Sequence, residues 1–530
     1  MSGKEGVVSV FPSEKQELHT TRSWDFIGFP QQVKRSTLES DIIIGVIDSG
    51  IWPESASFDD KGLGPPPSKW KGTCQASANF SCNNKIIGAK YYRSDGLFEN
   101  GESKSPLDSF GHGTHTALAA AGTLVSDASL YGLGMGTARG GVCWAFDCQD
   151  ADILAAFDDA IADGVNIISV SLGSTAKDYF QNAIAIAIGA FHAMRKGILT
   201  STSAGNGGPD LSSLTNFSPW SLSVGASTMD RDFSTSVQLG NNKIYEGPYW
   251  LEQLESSGRV EILGSFAVTY PLPLSSLSLE DSAKVYIYLN STRKPTASIW
   301  KSKEKTDKLA PYIPSYSSRG PNPITPEILK PDLVAPGTYI LAAWPPYISA
   351  SRLEEDKRVV AFNILSGTSM ACPHASAAAA YVKSFHPTWS PAAIKSSLMT
   401  TGYTTKLLQI VTGNSRSSCR KGSDGTVADL NYPAFVLSAS PSESINHIFN
   451  RTVTNVGSPA STYKANLVAP PGIKITVNPS VLSFTSLGEK LSYAVTVQGT
   501  VGKKLVVSAS LVWDDGSCQV RSPIIVYIPT

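Results

Sequence analysis

No apolar run in this sequence approaches the roughly 18 residues needed to cross a bilayer as a helix, so nothing in it is expected to span a membrane. There is no imbalance of charge either: 44 Lys and Arg face 44 Asp and Glu in 530 residues. Proteins that grip nucleic acid carry a basic excess or stripe, so no nucleic-acid partner is expected. Met1 is followed by Ser2, Gly3, Lys4 and Glu5, without the apolar stretch and small-residue cleavage site of a secretory leader. Glycine (44) and proline (33) fall well short of a low-complexity composition. Only seven cysteines occur. Two close pairs, Cys74 with Cys82 and Cys143 with Cys148, could each close a small disulfide loop or stay reduced, and the odd count leaves one thiol over. No third ligand stands at a metal-binding spacing from His112 and His115, and no G-x-S-x-G turn marks a lipase-type hydrolase. Neither a metal nor a cofactor is expected.

What is present suits a large buried core: 42% of residues are hydrophobic and 17% charged. From about 41 to 401, short apolar runs alternate with Ala-rich stretches. IIIGVID (42–48), NIISVSLG (166–173) and GILTSTSAGN (197–206) read as buried parallel strands. Helices are expected near 150–163 and 182–195, which gives a doubly wound α/β sheet covered on both faces. In such sheets the site lies at the carboxyl ends of the strands, where Asp48 and Asn206 fall. Between the helix that begins at His112 and the one near Asp150, no strand of adequate length is legible. From about 240 to 308 the alternation breaks down into Pro-rich patches, a β-like run at 284–289 and a charged stretch. From about 429 onward, roughly seven short β runs separated by turns predict a β-sandwich. Asn-x-Ser/Thr sequons occur at Asn79, Asn216, Asn290 and Asn450.

Peptide hydrolysis needs an activated nucleophile, a base, and stabilisation of an oxyanion. Asp48 ends an apolar strand, where a buried carboxylate could orient an imidazole. His112, in SFGHGTHTALAAAG, enters an Ala-rich helix from a Gly-flanked turn. Ser369, in SGTSMACPHASAAAA, opens another, where free N–H groups and the helix dipole favour negative charge. Pro373 fits there on the expectation that it lies in the first turn. Asn206 could offer an amide N–H to the same oxygen. His115, His374 and His386 read as structural residues.

The order Asp…His…Ser, with DSGIWPESASFDD, GHGTHTA, SAGNGGP, KPDLVAPG, GTSMACPH, DLNYPAF and RTVTNVG spread along the chain, resembles the plant subtilisin-like serine proteases of the cucumisin type. The resemblance implies a subtilisin-like doubly wound parallel sheet with a truncated protease-associated insert, followed by a fibronectin III-like all-β sandwich. The implied divisions are a propeptide remnant (1–19), a catalytic domain in two parts (20–240 and 309–428), the insert (241–308) and the sandwich (429–530). Ser369 would be the nucleophile, His112 the general base, Asp48 its orienting partner and Asn206 an oxyanion-hole donor. Ser169, Val170, Ser171, Leu172 and Gly173, with Ser203, Ala204 and Gly205, would bind an extended substrate. The implied partner is a protein or peptide substrate, the implied state a monomer with a homodimer as alternative, and the implied location extracellular, in apoplast or cell wall. The rival reading is a catalytically inactive relative, because Val142 runs straight into Cys143 where the family carries a core strand.

Overall fold

The apolar runs become short strands because β-branched side chains covered on both faces favour a parallel ladder. A computed structural model describes residues 22–28, 41–77, 79–94, 96, 104–138, 149–173, 184–248, 277–353, 355–401, 430–440, 443–500 and 506–528. Among these residues the central sheet has five strands: β1 (Ile44–Ile47), β2 (Ile167–Val170), β3 (Leu199–Ser203), β4 (Leu222–Ser227) and β5 (Leu333–Pro336). They lie side by side in that order, all parallel. Five helices matter to the site: α1 (His112–Ala121), α2 (Asp150–Asp163), α3 (Ile184–Arg195), α4 (Thr368–Phe385) and α5 (Pro391–Thr401). Alternation along β2 divides the core. Ile168 and Val170 pack with Ile153, Phe157 and Ala190 of α2 and α3. Ile167, on the opposite face, packs with Ala371, Ala375 and Ala379 of α4. Helices therefore cover both faces, and among the described residues β1 forms one edge of the sheet.

The stretch between α1 and α2 corrects one expectation. Two strands, Val125–Leu130 and Leu133–Ala138, do form there, but they pair with each other as a separate hairpin. Cys143 and Cys148 lie outside the described residues, as does Cys419. Cys74 and Cys82 are joined by a disulfide, while Cys372 and Cys518 are free thiols.

The segment after 240 also differs from its reading. The run at 284–289 belongs to a helix, Leu279–Ser291, not to a strand. Local chemistry explains why. Ser278 accepts the Asp281 N–H at 3.1 Å as an N-cap, and Lys284 pairs with Glu280 at 2.7 Å and with Asp281 at 2.9 Å. Tyr288 is then buried against Val237 and Leu239. Helical capping and spacing outweigh the strand propensity of four β-branched or aromatic residues, Val285, Tyr286, Ile287 and Tyr288. The strand Arg231–Leu239 carries this unit, pairing with Ile244–Pro248, Ala297–Ile299 and Lys303–Thr306.

Among the described residues eight strands build the carboxyl-terminal sandwich, close to the roughly seven read from the sequence: β6 (Phe435–Ser438), β7 (Ile445–Thr454), β8 (Ser461–Val468), β9 (Ile473–Asn478), β10 (Val481–Phe484), β11 (Lys490–Gly499), β12 (Val506–Asp514) and β13 (Gln519–Tyr527). The sheet orders are β6-β13-β12-β8-β10 and β7-β11-β9. Inward residues at every second position, such as Val495, Val497, Ile524 and Val526, form the core with Phe435, Phe449 and Trp513.

The sandwich is tied to the α/β unit by a buried charge cluster. The Asp332 carboxylate accepts from Lys330 at 2.6 Å, lies 3.1 Å from the Lys395 ammonium, and accepts from the Tyr432 hydroxyl. Burial alone would raise the carboxyl pKa, but the two lysine charges and these hydrogen bonds hold it below its ordinary value. Removing the negative member strands two ammonium groups in the interior. Asp332→Asn is expected to destabilise the protein by about 3–5 kcal/mol, read as a lower urea midpoint. An unchanged midpoint would contradict this account.

Candidate active site

Asp48 is the first residue past β1 and is fully buried. Its Oδ1 accepts the Ser49 N–H at 2.8 Å and lies 2.5 Å from His112 Nδ1, and its Oδ2 accepts the Thr116 hydroxyl at 2.9 Å. The carboxylate is thus surrounded by donors and leaves Nε2 of the imidazole facing away. Burial pushes the His112 pKa down, but the charge and hydrogen bond of Asp48 outweigh it and hold it above the ordinary imidazole value.

The loop that presents His112 is organised by Asp108, a residue that sequence reasoning missed. This buried carboxylate accepts from the main-chain N–H groups of Phe110 at 3.0 Å, Gly111 at 2.7 Å and Thr114 at 2.8 Å, and from the hydroxyls of Ser49 and Thr114. Gly111 has φ +88°, and an added Cβ would meet the Trp344 ring at 2.6 Å, so only glycine fits this turn. His115 is buried, with Nε2 between the carbonyls of Ile340 (3.0 Å) and Asn363 (3.2 Å). His374 is likewise buried, bonded to the Met370 carbonyl and the Ser23 hydroxyl. Among the described residues no group of His, Cys, Asp and Glu could hold a metal ion.

Ser369 stands in the first turn of α4, which packs on α1. Its Oγ donates to the Ser171 carbonyl at 3.2 Å, and the Ser171 hydroxyl donates back to the Ser369 carbonyl at 2.8 Å. That second bond depends on Pro373. The helix begins at Thr368, so Pro373 lies in the second turn and not in the first as expected. Without an N–H, Pro373 cannot engage the carbonyl four residues before it, and the Ser171 hydroxyl takes that carbonyl instead. Ser171 follows β2 as Asp48 follows β1, and Ile47 pairs in register with Val170. The two strand ends are therefore neighbours, with Asp48 and His112 over one and Ser369 over the other. No hydrogen bond joins Ser369 to His112 among the described residues.

Asn206 lies three residues past β3. Its side-chain oxygen accepts the Thr368 N–H and the Thr368 hydroxyl, each at 2.9 Å. The amide nitrogen is left pointing outward over the turn at Gly367. A methyl group placed on Gly367 would lie 3.4 Å from Asn206 Nδ2 and 3.7 Å from the Ser369 main-chain nitrogen. Glycine at 367 thus keeps open a space bordered by two N–H donors. The only sequence signal for it was its place just before the helix start.

The remaining candidate residues divide by burial. Leu172, Gly173 and Gly205 reach the surface, whereas the side chains of Ser169, Val170 and Ala204 are enclosed in the core, and Ser171 and Ser203 are nearly so. Ser169 accepts the Ser376 hydroxyl at 2.8 Å beneath α4. The enclosed side chains alternate into the two cores, as strand residues do, so contact with an extended segment at these positions would fall to main-chain groups. Of the four sequons, the one at Asn216 is buried. Its amide is 5% exposed and donates to the carbonyls of Leu172 and Ser203, which leaves no room for a glycan, whereas Asn79, Asn290 and Asn450 are exposed.

Comparison with known proteins adds a family context. The subtilase family matches residues 39–429, and a fibronectin type-III domain family matches 429–526. The chain is 43% identical to subtilisin-like protease SBT4.3 of Arabidopsis thaliana, with 98% of this chain and 86% of that protein covered. It is also 43% identical to subtilisin-like protease SBT4.8 of the same plant, with 99% and 86% covered. The first alignment runs over 639 residues against the 530 of this chain, so more than a hundred aligned positions have no counterpart here. Among solved structures, S41 psychrophilic protease is similar over 72% of this chain and 89% of its own, at 19% identity and a TM-score of 0.39.

Proposed function

Because the chain belongs to the subtilase family of serine proteases, we propose that it hydrolyses peptide bonds with Ser369 as nucleophile, His112 as base and Asp48 as orienting carboxylate. The single observation that carries this reading is the 2.5 Å contact between His112 Nδ1 and Asp48. It fixes the proton on Nδ1 and leaves Nε2 as the lone-pair acceptor a serine hydroxyl requires. Ser369 Oγ attacks the carbonyl carbon while its proton passes to His112 Nε2. The carbonyl oxygen, now negative, enters the space beside Gly367, where Asn206 Nδ2 and the Ser369 N–H donate. Collapse of this adduct breaks the C–N bond, and the imidazolium protonates the departing amine. Water then repeats the sequence on the acyl-enzyme and releases the acid. Main-chain groups of Leu172, Gly173 and Gly205 would pair with an extended substrate as an added strand.

We assign the catalytic unit to 20–240 and 309–428, the truncated insert to 241–308 and the sandwich to 429–530, and we place the protein outside the cell, as a monomer acting on proteins. A second reading, an inert relative, is favoured by one observation: Ser369 Oγ donates to Ser171 and not to His112. A fluorophosphonate probe decides between them. Labelling of Ser369 in the full chain, absent in Ser369→Ala, is expected; a folded sample that stays unlabelled would establish the inert reading.

A further inference from the structure

Asn206 is followed by glycine. An asparagine in that position loses its amide most readily, because no side chain hinders attack on Cγ by the next main-chain nitrogen. The sequence holds one other such pair, Asn100-Gly101. The structure does not require glycine at 207. Its φ lies outside the left-handed region, and an added Cβ would come no closer than 3.5 Å to any atom beyond its chain neighbours, the Ser213 carbonyl oxygen. At Gly208, by contrast, a Cβ would strike the Ser315 and Ser317 carbonyl oxygens at 2.3 Å. Space dictates the second glycine and not the first.

The surroundings of Asn206 activate its amide. The residue is exposed, and its Oδ1 accepts both the N–H and the hydroxyl of Thr368 at 2.9 Å. Two donors on that oxygen stabilise the negative charge that attack on Cγ creates. Ser318 opposes the attack. Its buried hydroxyl accepts the Gly207 N–H at 3.0 Å, and its own N–H donates to the Gly205 carbonyl at 3.0 Å. The Gly208 N–H in turn donates to the Tyr316 carbonyl at 3.0 Å. Cyclisation has to strip the Gly207 proton and bring its nitrogen onto Cγ, and the bond to Ser318 resists both.

We propose that Asn206-Gly207 is a site of spontaneous deamidation, held in check by Ser318 as a positioning residue, and that its conversion switches off the peptidase. The switching rests on the reading of Asn206 as an oxyanion donor; the chemistry of the site does not. The Gly207 nitrogen gives its proton to water and forms a bond to Asn206 Cγ. The Cγ–Nδ2 bond then breaks, and the amide takes a proton from water and leaves as ammonia. Water opens the resulting succinimide at either carbonyl, giving aspartate or isoaspartate at 206. Each product carries a carboxylate in place of the N–H donor. Nothing is oxidised or reduced, and water is the one co-reactant.

The test stores the full chain carrying Ser369→Ala, so that no self-digestion intrudes, at mildly alkaline pH. Peptide masses then follow the change from amide to acid at Asn206, with Asn100 as internal reference. Ser318→Ala should speed conversion at Asn206 about fivefold, the weight of one main-chain hydrogen bond, and leave the rate at Asn100 unchanged. Adding Gly207→Ala should slow it again, because the new methyl group hinders ring closure. Equal rates with and without the Ser318 hydroxyl, or an acceleration that Gly207→Ala fails to reverse, would overturn the proposal. Should Ser318→Ala not fold, Gly207→Ala alone carries the test: conversion at 206 should fall below that of the parent, and an unchanged rate overturns the proposal. In the chain that keeps Ser369, activity should decay in step with conversion, each converted molecule losing about 10²–10³-fold in kcat, the loss known for the asparagine donor of subtilisin. Conversion without loss of activity would overturn the switching role together with the reading of Asn206 as an oxyanion donor, while the masses report the cyclisation by themselves.

Discussion

Ser369→Ala is expected to lower kcat by about 10⁶-fold, the loss known for the nucleophile of subtilisin itself, with little change in KM. The substitution removes one oxygen from the amino-terminal turn of α4. The Ser369 carbonyl still accepts from Ser171, and the Ser369 N–H and Asn206 amide still border the space at Gly367. Substrate binding and oxyanion contacts therefore persist, and the residual rate should stay about 10³–10⁴-fold above the uncatalysed one. A loss of only tenfold would mean that another group attacks the carbonyl. Loss of folding, visible by circular dichroism, is not expected, because the one hydrogen bond removed is the 3.2 Å contact to the Ser171 carbonyl.

Asp48→Asn has the next largest expected effect, a fall in kcat of about 10⁴-fold, the magnitude known for this change in another serine protease triad. Three donors now converge on Asp48: the Ser49 N–H, the Thr116 hydroxyl and His112 Nδ1. An asparagine must turn its own NH₂ toward one of them. Facing His112, it forces the proton onto Nε2, where it blocks acceptance from Ser369. The pH profile separates this from mere loss of structure. His112 acts as base only when neutral, and Asp48 raises its pKa. The acid limb of kcat/KM in the unaltered enzyme therefore lies above about 6.5. Without the carboxylate, burial dominates and the limb should move to lower pH, while a limb that stays in place would show that Asp48 does not act on the imidazole.

Much of this was legible from local pattern. Apolar runs ending in Asp48 and Asn206, and Ala-rich stretches opening at His112 and Ser369, signal strand ends and helix starts with short-range chemistry alone. The α2 boundaries at Asp150 and Asp163 were readable for the same reason, since an amphipathic repeat and the Gly164 stop are written within one stretch of chain. The run at 284–289 was misread because its capping Ser278 and the acidic partners of Lys284, Glu280 and Asp281, lie before the window of β-like residues.

The sequence by itself determined three of the central strands, the helices that begin near His112, Asp150 and Ser369, the three separated side chains and the motifs of the subtilase family. Only the tertiary structure decided that Asp108 gathers the His112 loop, that Ser171 takes the carbonyl freed by Pro373 and that Asn216 is buried. Apart from the short-range donors to Asp108, these rest on groups tens to hundreds of residues apart, Ser49 with Asp108 among them. A hydrogen bond between distant residues leaves no periodicity in the chain, because its partner is chosen by packing and not by spacing.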